Sequence, residues 1–387
     1  MSVQVGWLRI SKDLDTTSQD ILALENYLEI LTDLKPRQSP NVMLRVALES
    51  IDLDIGVDDK SPVTTSKVKA LIVKGSKALY RLILKLMEYV KGMYIKFTGN
   101  IRSVRRSQAK LSAAITKLGS KTTRGELQID GIDRLSVDGK FVGTDPQSLK
   151  NLLDVSKYLL NDHPKFVIGY VRSVTREFLN LLNDSKFIGL EQDTQVKTIL
   201  EVVGKGYVDN FKYPNTTSTV KDSDRKATIT LVGNRALTFS NKDKVESYLK
   251  GDLAEPVVFV NDVLTMPFAE QPLRRPEHSE ISVSIPSVSE LKNLSNLISN
   301  ILDVAEGTSR SVKDYDTVKV VIDDAIRQIE DSKASDYICN LVFVILGQIS
   351  KKLSEPVGNF THWLAITLNV YINLYRTFVT HYKDEGN

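Results

Sequence analysis

The sequence predicts an α+β fold in which helix predominates, with an N-terminal helical segment, a basic helical pair, small β-elements and a C-terminal helical bundle. Three observations predict it. Apolar residues recur at spacings of three and four over most of the chain, as the buried face of a helix requires. Strict alternation is confined to short stretches near Asp-Gly or Gly-Asn pairs, the chemistry of tight turns. One block of helical sequence is almost purely basic.

Ile21, Leu24, Leu28 and Leu31 predict a helix over Thr16–Asp33, with Ser18 as N-cap and Pro36 and Pro40 as its stop. Val42, Val46 and Leu48 resume a short helical pattern between Asn41 and Leu53. Asp52 to Ser66 is acidic, then rich in Ser, Thr and Pro, and reads as a linker. Beyond it Leu79, Ile83, Leu86, Val90, Met93 and Phe97 form one stripe, while Lys74, Lys77, Arg81 and Lys85 occupy another face. Gly99–Asn100 marks a break or kink, after which Arg102, Arg105, Arg106, Lys110 and Lys117 continue the basic pattern to Gly119.

Alternation over Leu127–Gly131 and Leu135–Val142, with two Asp-Gly pairs, predicts a small β-element. Asp145–Pro146 opens a helix reaching about Asn161, His163–Pro164 reads as a turn, and helices are expected over Phe166–Leu182 and Thr194–Val203. Gly204–Lys205–Gly206 reads as a C-cap and turn. Strands are expected in Ala227–Ser240 around Gly233–Asn234, in Val257–Met266 and in Ile281–Ile285. Four prolines from Pro267 to Pro286 mark a loop or domain boundary. Helices then follow over about 287–305, 310–333, 335–353 and 358–382.

The resulting organisation is an acidic segment 1–49, a linker 50–66, a basic amphipathic region 67–119, a mixed region 120–266, the Pro-rich loop 267–286 and a helical region 287–387. The net charge of +3 conceals opposed blocks. Residues 1–66 carry six basic and eleven acidic side chains, whereas 67–118 carry thirteen Lys or Arg against one acid, Glu88.

Several function classes find no support. The single cysteine, Cys339, permits no intramolecular disulfide and reads as a small buried hydrophobe. Met1–Ile21 lacks the basic and apolar regions of a secretory signal. Tyr337–Ile349 is too short to span a bilayer, and Trp363–Val379 carries Asn369, Asn373 and Arg376. The four histidines, His163, His278, His362 and His381, sit in no metal-ligand spacing. Asp52, Asp54, Asp58 and Asp59 place Gly56 one position early for a calcium loop and lack its closing Glu. Phosphate-loop, dinucleotide and nucleophile-elbow motifs are missing from the sequence. The expectation is a non-enzymatic protein with no catalytic residues, no metal, no cofactor and no small-molecule substrate.

The basic stretch is the main functional feature. A helix face of Lys and Arg is often only a solvated surface, but surface helices ordinarily mix both signs. Like charges four residues apart are mildly repulsive, so this helix gains from an anionic partner. The candidate contacts are Lys74, Lys77, Arg81, Lys85, Lys91, Lys96, Arg102, Arg105, Arg106 and Lys110. Duplex DNA would be met through its phosphates, without a sequence code; an acidic protein surface or anionic lipid would serve the same charges. Tyr80, Tyr89 and Tyr94 interleave with the cations and fit packing better than base stacking.

The order of segments resembles the internal head proteins of large contractile-tailed bacteriophages. The resemblance is carried by the acidic N-terminal region with Ala23–Leu24–Glu25 and Ala47–Leu48–Glu49, by the basic helical pair, and by Arg134–Lys140 leading into Leu-rich helices. It implies a structural protein of the virion interior, in the host cytoplasm during assembly, lying against packaged DNA or the capsid inner surface. It also implies trimming by a phage maturation protease at Ala47, Leu48 and Glu49, with cleavage before Ser50, and possible delivery with the genome. Ala-Leu-Glu is also simply good helix composition. The competing reading is a membrane-active protein using the amphipathic helix Lys74–Phe97 and the apolar C-terminal helices.

Overall fold

The computed structural model describes residues 92, 95–119, 121, 125–214, 217–219, 225–250, 256–278, 280–307, 320, 321, 324, 325, 327–329 and 332–382. The expectations for Thr16–Asp33, Asn41–Leu53, the linker and the basic residues before position 92 lie outside these, as does most of 310–333.

The first described helix, α1, covers 95–117 without a break at Gly99–Asn100. Phe97, Ile101, Val104, Leu111, Ile115 and Leu118 are buried, a stripe at helical spacing that anchors it to the core. The chain then forms β1 (Glu126–Asp130), a 3-10 turn (Ile132–Leu135), and the short hairpin β2 (Ser136–Val137) and β3 (Lys140–Phe141). Asp138 and Gly139 turn that hairpin with φ of 48° and 78°, the left-handed pair that the Asp-Gly signal demands. The other pair, Asp130–Gly131, does not close a hairpin. Gly131 instead starts the 3-10 turn, and β1 pairs antiparallel with β8 (Glu280–Ser284), Glu126 opposite Ser284.

Helix α2 (Pro146–Lys157) begins as expected, with Pro146 in its first turn and the Asp145 carboxylate accepting from the Gln147 amide at 2.9 Å. It passes through a π turn (Tyr158–Asp162) into α3 (His163–Asn183). His163–Pro164 is therefore not a turn between helices. The wider turn lets the His163 amide bond Tyr158, and Pro164, which has no N–H to give, falls in the first turn of α3 where none is needed. After the single turn α4 (Ser185–Ile188) comes α5 (Gln192–Asn210), which runs straight through Gly204–Lys205–Gly206. These glycines allow close packing rather than ending the helix. A Cβ at Gly204 would stand 2.8 Å from Leu249 Cδ2, and one at Gly206 would stand 2.8 Å from Val174 Cγ2.

Strands β4 (Thr217–Thr219), β5 (Arg225–Thr228), β6 (Arg235–Ser240) and β7 (Phe268–Glu270) form an antiparallel sheet in that order. Helices α6 (Lys242–Lys250) and α7 (Pro256–Leu264) lie between β6 and β7 in sequence. Val257–Met266 was expected to be a strand and is mostly α7. Its buried residues are Phe259, Val260, Val263 and Leu264, a helical spacing that a short, continuously apolar run conceals.

Helix α8 (Val288–Gly307) packs on α2. Its start is a capping box: Ser287 donates its amide (2.7 Å) and hydroxyl (2.8 Å) to Glu290, whose amide returns to Ser287 Oγ at 3.3 Å. These hydrogen bonds hold the Glu290 carboxyl below its ordinary range. The two expected C-terminal helices are one, α9 (Asp336–Thr380), with Pro356 inside it. Ile345, Ile349, Val357, Phe360, Leu364 and Leu368 keep helical phase across the proline, so core packing outweighs the lost backbone bond. Tyr375 and Tyr371 fasten α9 to the start of α2 through Gly143 O and Ser148 Oγ, each at 2.8 Å. Cys339 is half-buried rather than fully buried, with its sulfur 3.2 Å from Ser332 Oγ. Among the described residues one hydrophobic cluster runs from Phe97 to Tyr382, so α1 belongs to the same core as α9.

Candidate nucleic-acid interface

Helix α1 carries six cations and no acid in its own sequence, 95–117. Its buried stripe orients them. Lys96, Arg102, Arg106, Lys110 and Lys117 are all exposed, and the spacing 102, 106, 110 places three on one line opposite the core. Arg105 has a different role. It reaches α8, where it pairs with Asp303 and with Glu306 at 3.0 Å and donates to Ser299 Oγ at 2.9 Å. Burial alone would lower its pKa, but the hydrogen bonds and charges of Glu306 and Asp303 outweigh that and hold it above its ordinary value. Gln108 donates to Ser295 O at 3.3 Å, and Arg376 of α9 donates to Ser107 O at 3.0 Å. Thus α1 is clamped on two sides while its outer cations stay in solvent.

Of the ten residues assigned to the anionic partner, Lys96, Arg102, Arg106 and Lys110 share the outer side of α1, and Arg105 is turned inward. Lys74, Lys77, Arg81, Lys85 and Lys91 lie outside the described residues, as do Ala47, Leu48, Glu49 and Ser50 of the candidate processing site. No group of three or more His, Cys, Asp or Glu side chains among the described residues could hold a metal ion. None of the described helices is long and apolar enough to cross a membrane.

A second site is one that local sequence did not signal. A cleft of about 680 Å³ lies between α9 and three turns that are distant in sequence. Arg134 comes from the 3-10 turn, Arg235 from the start of β6, Arg275 from the Pro-rich segment, and His362 and Trp363 from α9. Asn234, at φ 55°, ties the turns together: its Oδ1 accepts from the Asp138 amide at 2.8 Å and its Nδ2 donates to Arg274 O at 3.1 Å. Asp138 also binds Arg274, Oδ2 to Nη2 at 3.1 Å, and this hydrogen bond lowers the Asp138 pKa. Partial desolvation lowers the His362 pKa from its ordinary value. The turn chemistry at Asp138–Gly139 and Gly233–Asn234 was visible in the sequence, but its convergence on α9 was not.

No curated protein and no solved structure matches the chain. The model of the phiKZ-like phage internal head proteins matches residues 13–377, nearly the whole length and far beyond any single helix. The chain therefore belongs to the phiKZ-like phage internal head proteins, structural components of the virion interior.

Proposed function

We propose that this is a non-enzymatic protein packaged with the phage DNA, and that the outer face of α1 meets the DNA backbone without regard to sequence. The observation that carries this reading is the segregation of charge on α1. Its one inward cation is matched by Asp303 and Glu306, while Lys96, Arg102, Arg106, Lys110 and Lys117 face solvent on a helix with no acid. A face held this way supplies regularly spaced point charges to a phosphate lattice and nothing to read base edges. The basic residues from Lys67 to Lys91 would extend the same contact.

The maturation protease would act after Glu49, before Ser50. Removing 1–49 takes away five basic and seven acidic side chains, which raises the net charge from +3 to +5 as DNA fills the head. N-terminal sequencing of protein from mature virions should begin at Ser50, and a start at Met1 or Ser2 would refute the processing step. The protein would then leave with the genome. DNA retardation and liposome flotation at two salt concentrations test the partner. DNA binding that falls steeply with salt is expected. Salt-insensitive lipid binding without DNA retention would instead favour the membrane-active reading, and retention on empty capsid shells alone would favour the capsid wall.

A further inference from the structure

The cleft beside α9 differs in shape and lining from the outer face of α1. Its volume of about 680 Å³ falls within the range of small-ligand sites, roughly 300–1,000 Å³. Its acids are Asp133 and Glu270, and Arg275 matches Glu270 at 2.9 Å. Arg134, Arg235 and Arg275 outnumber Asp133 and Glu270 by one, which leaves the lining net cationic. The turns that carry Arg134 and Arg235 adjoin, since Arg134 O lies 3.9 Å from where a Cβ at Gly233 would stand. The aromatic wall is half-buried Trp363, braced by Phe268 at 5.1 Å and Phe360 at 5.8 Å between ring centroids. The rim is fixed by the Asn234 and Asp138 hydrogen bonds, so the arginine-bearing turns need little ordering on binding.

We propose that this cleft binds a nucleotide unit, its phosphate taken by Arg134 and Arg235 and its base laid against Trp363. Guanidinium groups suit phosphate because two parallel N–H donors meet two oxygens, and an indole accepts any base because every base has a π face. An acidic peptide would use the arginines but leave the aromatic wall without a partner. The same chemistry is offered by a free nucleotide and by an unpaired nucleotide at a strand end. The site is independent of the α1 face, and each reading can fail alone.

The chain has two tryptophans, so Trp7→Phe in the full-length protein leaves Trp363 as the sole indole emitter. Titration with thymidine monophosphate and with a six-residue oligothymidylate should give saturable quenching below about 1 mM with at least one of them. A response to the mononucleotide assigns a free nucleotide, and a response to the oligonucleotide alone assigns a strand end. Arg134→Ala with Arg235→Ala should move the midpoint by about tenfold or more. Arg134 is exposed and Arg235 half-buried, and an unchanged melting temperature will show that the variant folds. Arg102→Ala, Arg106→Ala and Lys110→Ala together should leave the midpoint in place. The proposal is overturned by no quenching and no retention in equilibrium dialysis with either ligand. Quenching unaffected by the double substitution, or a stronger response to hexaglutamate than to either nucleotide, would overturn it equally.

Discussion

Two cationic surfaces on this molecule are assembled in opposite ways. On α1 the charges come from one helix, are spaced by its period, and point outward because the opposite stripe, from Phe97 to Leu118, is buried. In the cleft, Arg134, Arg235 and Arg275 come from turns up to 141 residues apart, brought together by hydrogen bonds around Asn234 and Asp138. The first surface is open and linear, and suits a repeating polyanion. The second is concave, is closed by an aromatic wall, and suits one small unit. Positive charge alone does not define a partner; the shape of the backbone that presents it does.

The two surfaces should therefore fail separately. The largest effect is expected for Leu111→Ala, which removes a fully buried anchor of α1 and should cost about 2–5 kcal/mol in denaturant unfolding. Arg105→Ala acts on the same helix. It leaves the solvent-exposed Asp303 and Glu306 without their cation and should destabilise by about 1 kcal/mol, with the salt dependence of DNA binding unchanged. That outcome separates the clamp from the contact face, and a flattened salt dependence would mean that Arg105 itself meets phosphate.

Asn234→Ala strikes the other surface. It deletes two hydrogen bonds and puts alanine at φ 55°, so a loss of about 1–3 kcal/mol is expected, with weaker nucleotide quenching and unaltered DNA retardation. The smallest effect concerns the α8 cap, which supports the helix that clamps α1. Ser287→Ala should cost about 1 kcal/mol. Because the folded-state pKa of Glu290 is lowered, its contribution is fully present above the unfolded value of about 4.3 and is lost as pH falls through the folded one. Glu290→Gln should flatten that acid limb in a melting-temperature series.

The contrast also explains which features were legible in the sequence. The run of basic residues on α1, the Pro146 start of α2 and the Asp138–Gly139 turn rest on neighbours within a few residues, and local chemistry specified them, whereas α1 runs on through Gly99–Asn100, which reads as a break. Val257–Met266 and Gly204–Lys205–Gly206 misled because an apolar run has no visible period, and because a glycine needed for close packing looks like one that ends a helix. The β1–β8 pairing and the cleft rest on contacts across more than a hundred residues. Even so, the turn residues that build the cleft, Asp138, Gly233 and Asn234, stand out as turn formers, and only their meeting place is hidden.

The most direct test of the α1 interface is the salt dependence of duplex binding by the full-length chain, compared with Arg102→Ala, Arg106→Ala and Lys110→Ala combined. If about six charges meet phosphates, log K should fall with log salt at a slope of about −5 in the native chain. The triple variant should lose about three units of that slope, with affinity lowered evenly across unrelated duplex sequences. An unchanged slope in the triple variant, or a loss confined to one sequence, would contradict the assignment of α1 as a backbone-binding face.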